Sequence, residues 1–411
     1  MNPCSGYITE RSATMPKKRK LPPKPFNPPF CPNSECKLHH PKDIPKGHSK
    51  KRDKRNWFIR KGSRFLARGQ EVFLFRCKQC NTGFSSRTFS IDYYAKRQLN
   101  YQRLLDMAVS CMSIRAMARA LHCSVSTIQN KLDRLSRQAA AFKSIITPRI
   151  QLKEDLAADG FESFVSSQYH PNNFTILVGS VSQYVYFFNY AQLRRKGRMT
   201  DSQKLKAEHL KRVITAAPYQ VEQRFCEVID KVVYLQQRSL QKKHLVVYTD
   251  EKIEYKRALD RVVFGGVDPS RGYRITHHTT SSKQRRDSRN PLFPVNYMDR
   301  EFRKDLAEHV RETTRFGRNT SNAVGRMELY QFHHNHFKSW RINVRDRVYD
   351  THAEAAGLER VVVEKLQKGW LKVRQFCSHL ELDMHLEKVW FKGYTTPGKW
   401  RMDYVPDYVY Q

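Results

Sequence analysis

Four cysteines in two close pairs limit this chain more than any other feature. Cys31 and Cys36 are followed, after a strongly basic stretch, by Cys77 and Cys80. Two thiolate pairs carried on two knuckles can close a tetrahedron around zinc, and a small module with little core of its own can take its fold from that metal. Cys77-Lys78-Gln79-Cys80 has the usual two-residue spacing. Cys31-Pro32-Asn33-Ser34-Glu35-Cys36 has a wider one, so His39 or His40 could replace one cysteine. The run Phe73-Leu74-Phe75-Arg76 reads as the strand feeding the second knuckle, with Phe84 and Phe89 closing a small core behind it. The alternative is four ordinary reduced thiols. The total of 9 cysteines is odd, which fits metal ligation and free thiols better than a disulfide framework. Among the rest, Cys111 and Cys123 read as small core residues.

Charge narrows the class of partner. The 411 residues include 75 Lys and Arg against 39 Asp and Glu, a net charge of +36. Such a chain belongs beside a polyanion, and nucleic acid comes first because neutralising phosphates releases counterions. A membrane-surface protein would need an amphipathic anchor or a lipidation signal, and the sequence has neither. No apolar run approaches the ~20 residues needed to span a bilayer, and the first residues lack a signal-peptide core. The expectation is a soluble, cytoplasmic protein with no membrane partner. An aromatic content of 12% argues for folded domains rather than disorder.

Along the chain, residues 1–30 read as a disordered basic arm. Its 16–20 run would pass for a nuclear import signal or serve as a DNA-hugging tail. Residues 31–95 form the zinc-binding module and 96–145 a helical domain. Within the latter, Ser113 is a good N-cap. Ile114, Met117, Ala118 and Leu121 recur at helical spacing, His122-Cys123-Ser124 makes a short turn, and Val125, Ile128, Leu132 and Leu135 continue the stripe. Two helices joined by a three-residue turn are the geometry that sets the second helix in a DNA major groove. On that helix Ser126, Thr127 and Lys131 could reach phosphates, Gln129 and Asn130 adenine edges, and Arg134 guanine or phosphate. A plain helical hairpin with a solvated face is the alternative.

Residues 150–340 read as an α/β core. Strand character at 174–178 and 184–188 is followed by helical sequence near 200–237, broken at Pro218, and by a buried strand at 244–248. Residues 266–296 look like a long basic loop, after which a helical period returns from Asp299 with Phe302, Leu306, His309, Val310 and Thr313 on one face. Residues 341–411 form an extension without an assigned role. Three acids stand out in this basic context: Asp159 before two strands, Asp250 after the buried strand, and Asp299 at the opening of the later helix. Carboxylates converging from strands and a helix could hold two Mg²⁺ or Mn²⁺ ions for phosphodiester chemistry. Any three of 39 acids can be chosen this way, so the spacing alone leaves surface acids as an equal alternative.

The order of modules and several local strings resemble the DDE-type transposases of bacterial insertion sequences, over roughly residues 31–340. The strings are Tyr248-Thr249-Asp250-Glu251 with Tyr255, Asn296-Tyr297-Met298-Asp299-Arg300, Arg311-Glu312-Thr313-Thr314-Arg315-Phe316, and His334-Asn335. The resemblance implies a ribonuclease-H-like catalytic core with Asp159, Asp250 and Asp299 as the magnesium ligands. That family usually has Glu at the third place, so Glu301 competes with Asp299, and Glu162 is an alternative to Asp159. The implied activity is metal-dependent cleavage at the ends of a mobile element, then strand transfer by its 3′-OH into target DNA. The implied partners are double-stranded DNA and a second copy of the chain in a dimer or larger synapse. A bacterial, nucleoid-associated location follows. Lys283, Arg285, Arg286 and Arg289 could track phosphates or form a solvated charge run. A non-catalytic DNA-binding regulator and a structure-specific nuclease are the rival readings.

Overall fold

The computed structural model describes residues 26–44, 56–66, 71–213, 216–239, 243–266, 272–281, 283–310, 315–341 and 348–411. Most of the expected basic arm, with Cys4 and the 16–20 run, lies outside these residues, as do 311–314 of the 311–316 string.

The chain is a mixed α/β protein with two sheets among the described residues. Strands β1 (Phe58–Phe65), β2 (Glu71–Cys77) and β3 (Gly83–Ser85) form a small antiparallel sheet. Its core is almost wholly aromatic: Phe30, Trp57, Phe58, Phe75, Phe84 and Phe89 are buried together with Phe376 from the far end of the sequence. Phe84 and Phe89 thus occupy the expected core.

Three helices follow, α1 (Tyr101–Ala108), α2 (Ile114–Ala120) and α3 (Val125–Ile146). Each starts on a side chain that accepts a hydrogen bond from a free backbone N–H. Asn100 accepts from Arg103, Ser113 from Ala116 and Ser124 from Thr127, contacts each worth about 0.5–2 kcal/mol. The turn between α2 and α3 falls where His122 takes a φ of 48°. Helix α3 does not stop at the expected domain boundary. It runs 22 residues, and Ala139, Ala140 and Ala141 are fully buried in its second half. Its apolar face shares one core with the large sheet.

That sheet has five strands: β4 (Leu156–Phe164), β5 (Pro171–Gly179), β6 (Val185–Gln192), β7 (His244–Thr249) and β8 (Arg274–Thr279). Their order is β6-β5-β4-β7-β8. β4, β5 and β6 are antiparallel neighbours, whereas β7 lies parallel to both β4 and β8. Parallel pairing needs a crossover. Helices α4 (Asp201–Val213) and α5 (Gln220–Arg238) lie between β6 and β7 in the chain, and α6 (Ile253–Gly266) between β7 and β8. Side chains alternate across the sheet. Leu156 and Ala158 join the core with α5 and α6, where Phe225 stacks on Tyr255. Ala157 and Phe161 face the other way, against α7 (Phe293–Asp305) and α8 (Thr320–His336).

Four expectations are corrected here. The 266–296 segment is not one loop, because it contains β8 and the first turn of α7. Asp299 therefore lies inside α7 rather than opening it; the helix starts at Phe293, with Pro294 in its first turn, where the missing N–H is harmless. The helix also ends at Asp305, and Leu306 and His309 are buried beyond it in a tight turn. Asp159 likewise lies within β4, not ahead of the strands.

The extension contributes α9 (His352–Ala355), α10 (Arg360–Gly369) and α11 (Met384–Trp390). It packs back on the body: α11 lies against α3 and α8. Polar groups on α3 bind it directly, with Arg137 Nε donating to Trp390 O at 2.9 Å and Gln138 Nε2 to Trp370 O at 2.6 Å.

At the centre, Lys143 Nζ lies 3.1 Å from Glu328 Oε2 and 2.6 Å from Gln331 Oε1, and His385 Nε2 is 3.2 Å from the same Glu328 oxygen. Burial opposes ionisation of Glu328, but the Lys143 charge and His385 outweigh it and hold the carboxyl below its ordinary value. Stability from this group is therefore complete above the ordinary value of 4.5 and fades as pH falls through the lower native one. Removing one partner of such a pair leaves an uncompensated charge. We expect Lys143→Met to lose about 3–5 kcal/mol in urea unfolding at neutral pH; an unchanged midpoint would show that the pair contributes nothing.

Candidate metal centres

The four expected cysteines meet. Cys31 Sγ is 3.5 Å from Cys80 Sγ, Cys36 Sγ is 3.9 Å from Cys77 Sγ, and all four sulfurs lie within 4.8 Å of one another. A zinc ion with Zn–S bonds near 2.3 Å requires sulfurs about 3.8 Å apart, so both the donor chemistry and the spacing fit. Hydrogen bonds shape the knuckles: Cys31 N–H donates to Leu38 O at 2.8 Å, and Cys77 N–H to Thr82 O at 3.0 Å. The Leu38 N–H points at Cys36 Sγ at 3.5 Å. Burial pushes the Cys31 and Cys36 thiols up.

His39 does not take a cysteine's place. Its Nδ1 donates to the Cys31 carbonyl at 2.7 Å and its Nε2 accepts from the Ser378 hydroxyl at 2.6 Å, so both ring nitrogens are engaged. Burial lowers its pKa, consistent with this neutral ring. His39 thereby ties the first knuckle to the extension.

The three expected acids come from separate elements. Asp159 sits on the face of β4 that looks toward α7, in step with Ala157 and Phe161. Gly160 follows it, and a Cβ there would lie 2.1 Å from Asn173 Nδ2, so only glycine lets β5 pack this closely beside the acid. Asp250 immediately follows β7, the parallel neighbour of β4. Lys252 joins the two, with Nζ 3.2 Å from Asp159 Oδ1 and 3.3 Å from Asp250 Oδ2. Asp299 comes from α7, one position after the buried Met298. Burial first, and then the Asp159 carboxylate, push Asp299 up to about 7, and the same two causes raise Asp250. The Asp159 charge is thus felt at both Asp250 and Asp299. Arg303, Lys252 and Arg286 act against it at Asp299; Lys283, Arg285, Arg286 and Arg289 are all exposed.

Oxygen donors of this kind suit a hard divalent cation. Among the described residues, however, the cysteines are the one group of three or more His, Cys, Asp or Glu side chains whose donor atoms all lie within 4.8 Å. The aspartates form a looser group, with an ammonium between two of them. Glu301 is not part of it. Its buried carboxylate binds Lys304 at 2.8 Å and also Lys338; burial opposes its charge, but these two cations hold it below the ordinary range. Glu162 has an exposed side chain. Sequence reasoning missed Lys252, although a cation two residues beyond Asp250 was a visible signal. His334 and Asn335 lie far along α8, where Asn335 bonds both the N–H and the carbonyl of Val185 at 2.9 Å and so holds the start of β6.

The expected DNA-reading face of α3 divides in two. Ser126, Thr127 and Asn130 line an open groove. Gln129 donates to Asp133 at 2.6 Å. Lys131 and Arg134 correct the expectation, because both are turned inward. Lys131 is 2% exposed and paired with Asp92 and Tyr101, while Arg134 donates to Ile91 O at 2.9 Å with its guanidinium 4.6 Å from the centre of the Tyr408 ring.

No family model matches the chain, and no curated protein matches it. Among the described residues no helix is long and apolar enough to cross a membrane.

We expect the purified chain to carry one zinc ion, measured by elemental analysis, and Cys77→Ser to lose most of it with a fall in thermal stability. Full metal content in that variant would reject the four-cysteine site.

Proposed function

We propose that this chain is a DNA transposase that cuts a mobile element's ends and joins them to target DNA. The observation that carries the reading is the pairing of Asp159 on β4 and Asp250 after its parallel neighbour β7 through one lysine, with Asp299 on α7 feeling the Asp159 charge. The mixed five-stranded sheet with helices on both faces supports a ribonuclease-H-like core. Asp159, Asp250 and Asp299 would hold two Mg²⁺ or Mn²⁺ ions, which supply Lewis acidity to the entering and leaving oxygens. Lys252 balances Asp159 and Asp250 and would be freed to meet a DNA phosphate where cations took its place. Arg286 and the exposed cations of its loop hold the backbone in place. The freed 3′-OH then attacks a target phosphodiester, one P–O bond forming as another breaks, so no covalent enzyme intermediate is required. Zinc at the cysteines would fix the small sheet, and element ends held in pairs imply at least a dimer. A bacterial, nucleoid-associated setting belongs to the same proposal.

One observation favours a second reading, a DNA-binding regulator without catalysis: Lys252 already partners Asp159 and Asp250. Cleavage and strand transfer on DNA carrying the element's ends separate the two. We expect Mg²⁺-dependent joined product that disappears in Asp250→Asn and Asp299→Asn while DNA binding persists. Glu301→Gln should lower thermal stability and leave a folded fraction that still cleaves. End-specific binding with no cleavage, equal in wild type and Asp250→Asn, would establish the regulator.

A further inference from the structure

The groove beside α3 has features that duplex reading does not use. It is a space of about 570 Å³ between the start of α3, residues 94–97 and residues 404–411. Two large rings stand in water there, Tyr94 at 72% and Tyr404 at 80% exposure. Tyr94 is also held at a φ of 56°, in the left-handed region that a bulky side chain rarely adopts. Such local strain persists only where the surroundings impose it, and it gathers at binding sites. The surroundings here are an aromatic array. The Tyr94 ring lies 4.4 Å from Tyr93 and 6.1 Å from Tyr408, and behind these Arg134 packs on Tyr408 and Arg374 on Tyr93. Arg374 further pins the segment by donating to Tyr408 O at 2.6 Å.

The polar lining is mixed. Lys96 and Arg97 are exposed, as is Asp407, and Ser126, Thr127 and Asn130 add hydroxyl and amide groups. The two cations give a phosphate a place to bind, and the acid limits where it can lie. The two α3 cations expected to enter a major groove are already engaged, Lys131 with Asp92 and Tyr101 and Arg134 with Ile91 O and the Tyr408 ring. A duplex also keeps its base faces stacked, so it cannot use exposed rings. An unpaired base can, since every base has a π-face and stacking tolerates sequence.

We propose that this groove binds an unpaired nucleotide of DNA, its base stacked on Tyr94 and Tyr404 and its phosphate on Lys96 and Arg97. The choice of DNA over RNA rests on the function proposed above; the stacking geometry does not. The test uses the full-length protein and a short single-stranded DNA containing 2-aminopurine, read by base-fluorescence quenching and by anisotropy, beside the same sequence as a duplex. Tyr94→Ala and Tyr404→Ala should each weaken single-strand binding by about tenfold or more and remove the quenching, with duplex binding unchanged. Tyr94→Phe and Tyr404→Phe should bind and quench as wild type, because they keep the ring and the backbone. Wild-type affinity in both alanine variants, or equal losses on duplex and single strand, would overturn the site. Tighter binding of the matching RNA would overturn the assignment to DNA. Asp250→Asn should quench normally, so failure of cleavage and failure of the groove are distinguishable.

Discussion

A long helix whose polar side chains are buried is stable only if each of them finds a partner, and the rest of the molecule is arranged around how α3 meets that condition. Ser136 donates to Gly325 O on α8, Arg137 and Gln138 to carbonyls of the extension, and Lys143 to Glu328 and Gln331. Its first turns carry Lys131 on Asp92 and Arg134 on Ile91 O. One element thus binds the link to the cysteine module, the helices against the sheet and the last third of the sequence. That is why the expected boundaries near 145 and 341 do not mark separate bodies of packing.

Where the pattern is local, sequence and structure agree. The cap Ser113, the turn at 122–124, the apolar stripes of α2 and α3, the runs in β5 and β7, and the cysteine spacing all depend on neighbours a few residues away. What was hidden depends on distant parts. β8 carries one buried residue, Ile275, among Arg274, Thr276, His277 and His278, so no apolar alternation announces it. α8 is buried nearly all round, with Glu328, Gln331, His334, Asn335 and His336 inside, so it shows no amphipathic stripe. Lys131 and Arg134 read as DNA contacts because nothing near them in sequence shows that Asp92, Tyr101, Ile91 and Tyr408 hold them. Phe376 and Ser378 reach the cysteine module from more than three hundred positions away, beyond any local pattern.

The candidate acid site follows the same division. Asp159 and Asp250 could be chosen by their places beside strands, but only packing distinguishes Asp299 from Glu301. Two positions along α7 separate a carboxyl that feels the Asp159 charge from one neutralised by Lys304 and Lys338. The unequal charge compensation gives the arrangement its chemical meaning. Glu301 is satisfied as built, whereas Asp250 and Asp299 are held above the ordinary carboxylate range by burial and by Asp159. Such a cluster has room for further positive charge, and in a chain of net charge +36 it is placed where basic loops can bring a polyanion.

The central claim is that these three acids act together as one divalent-cation site. The most direct test replaces Mg²⁺ with Fe²⁺ and, with ascorbate and peroxide, maps where the polypeptide is cut by radicals formed at the bound ion. The account predicts cuts clustered near residues 159, 250 and 299, suppressed by excess Mg²⁺ and lost in Asp250→Asn. Cuts confined to the cysteine module, or scattered cuts that Mg²⁺ does not suppress, would contradict it.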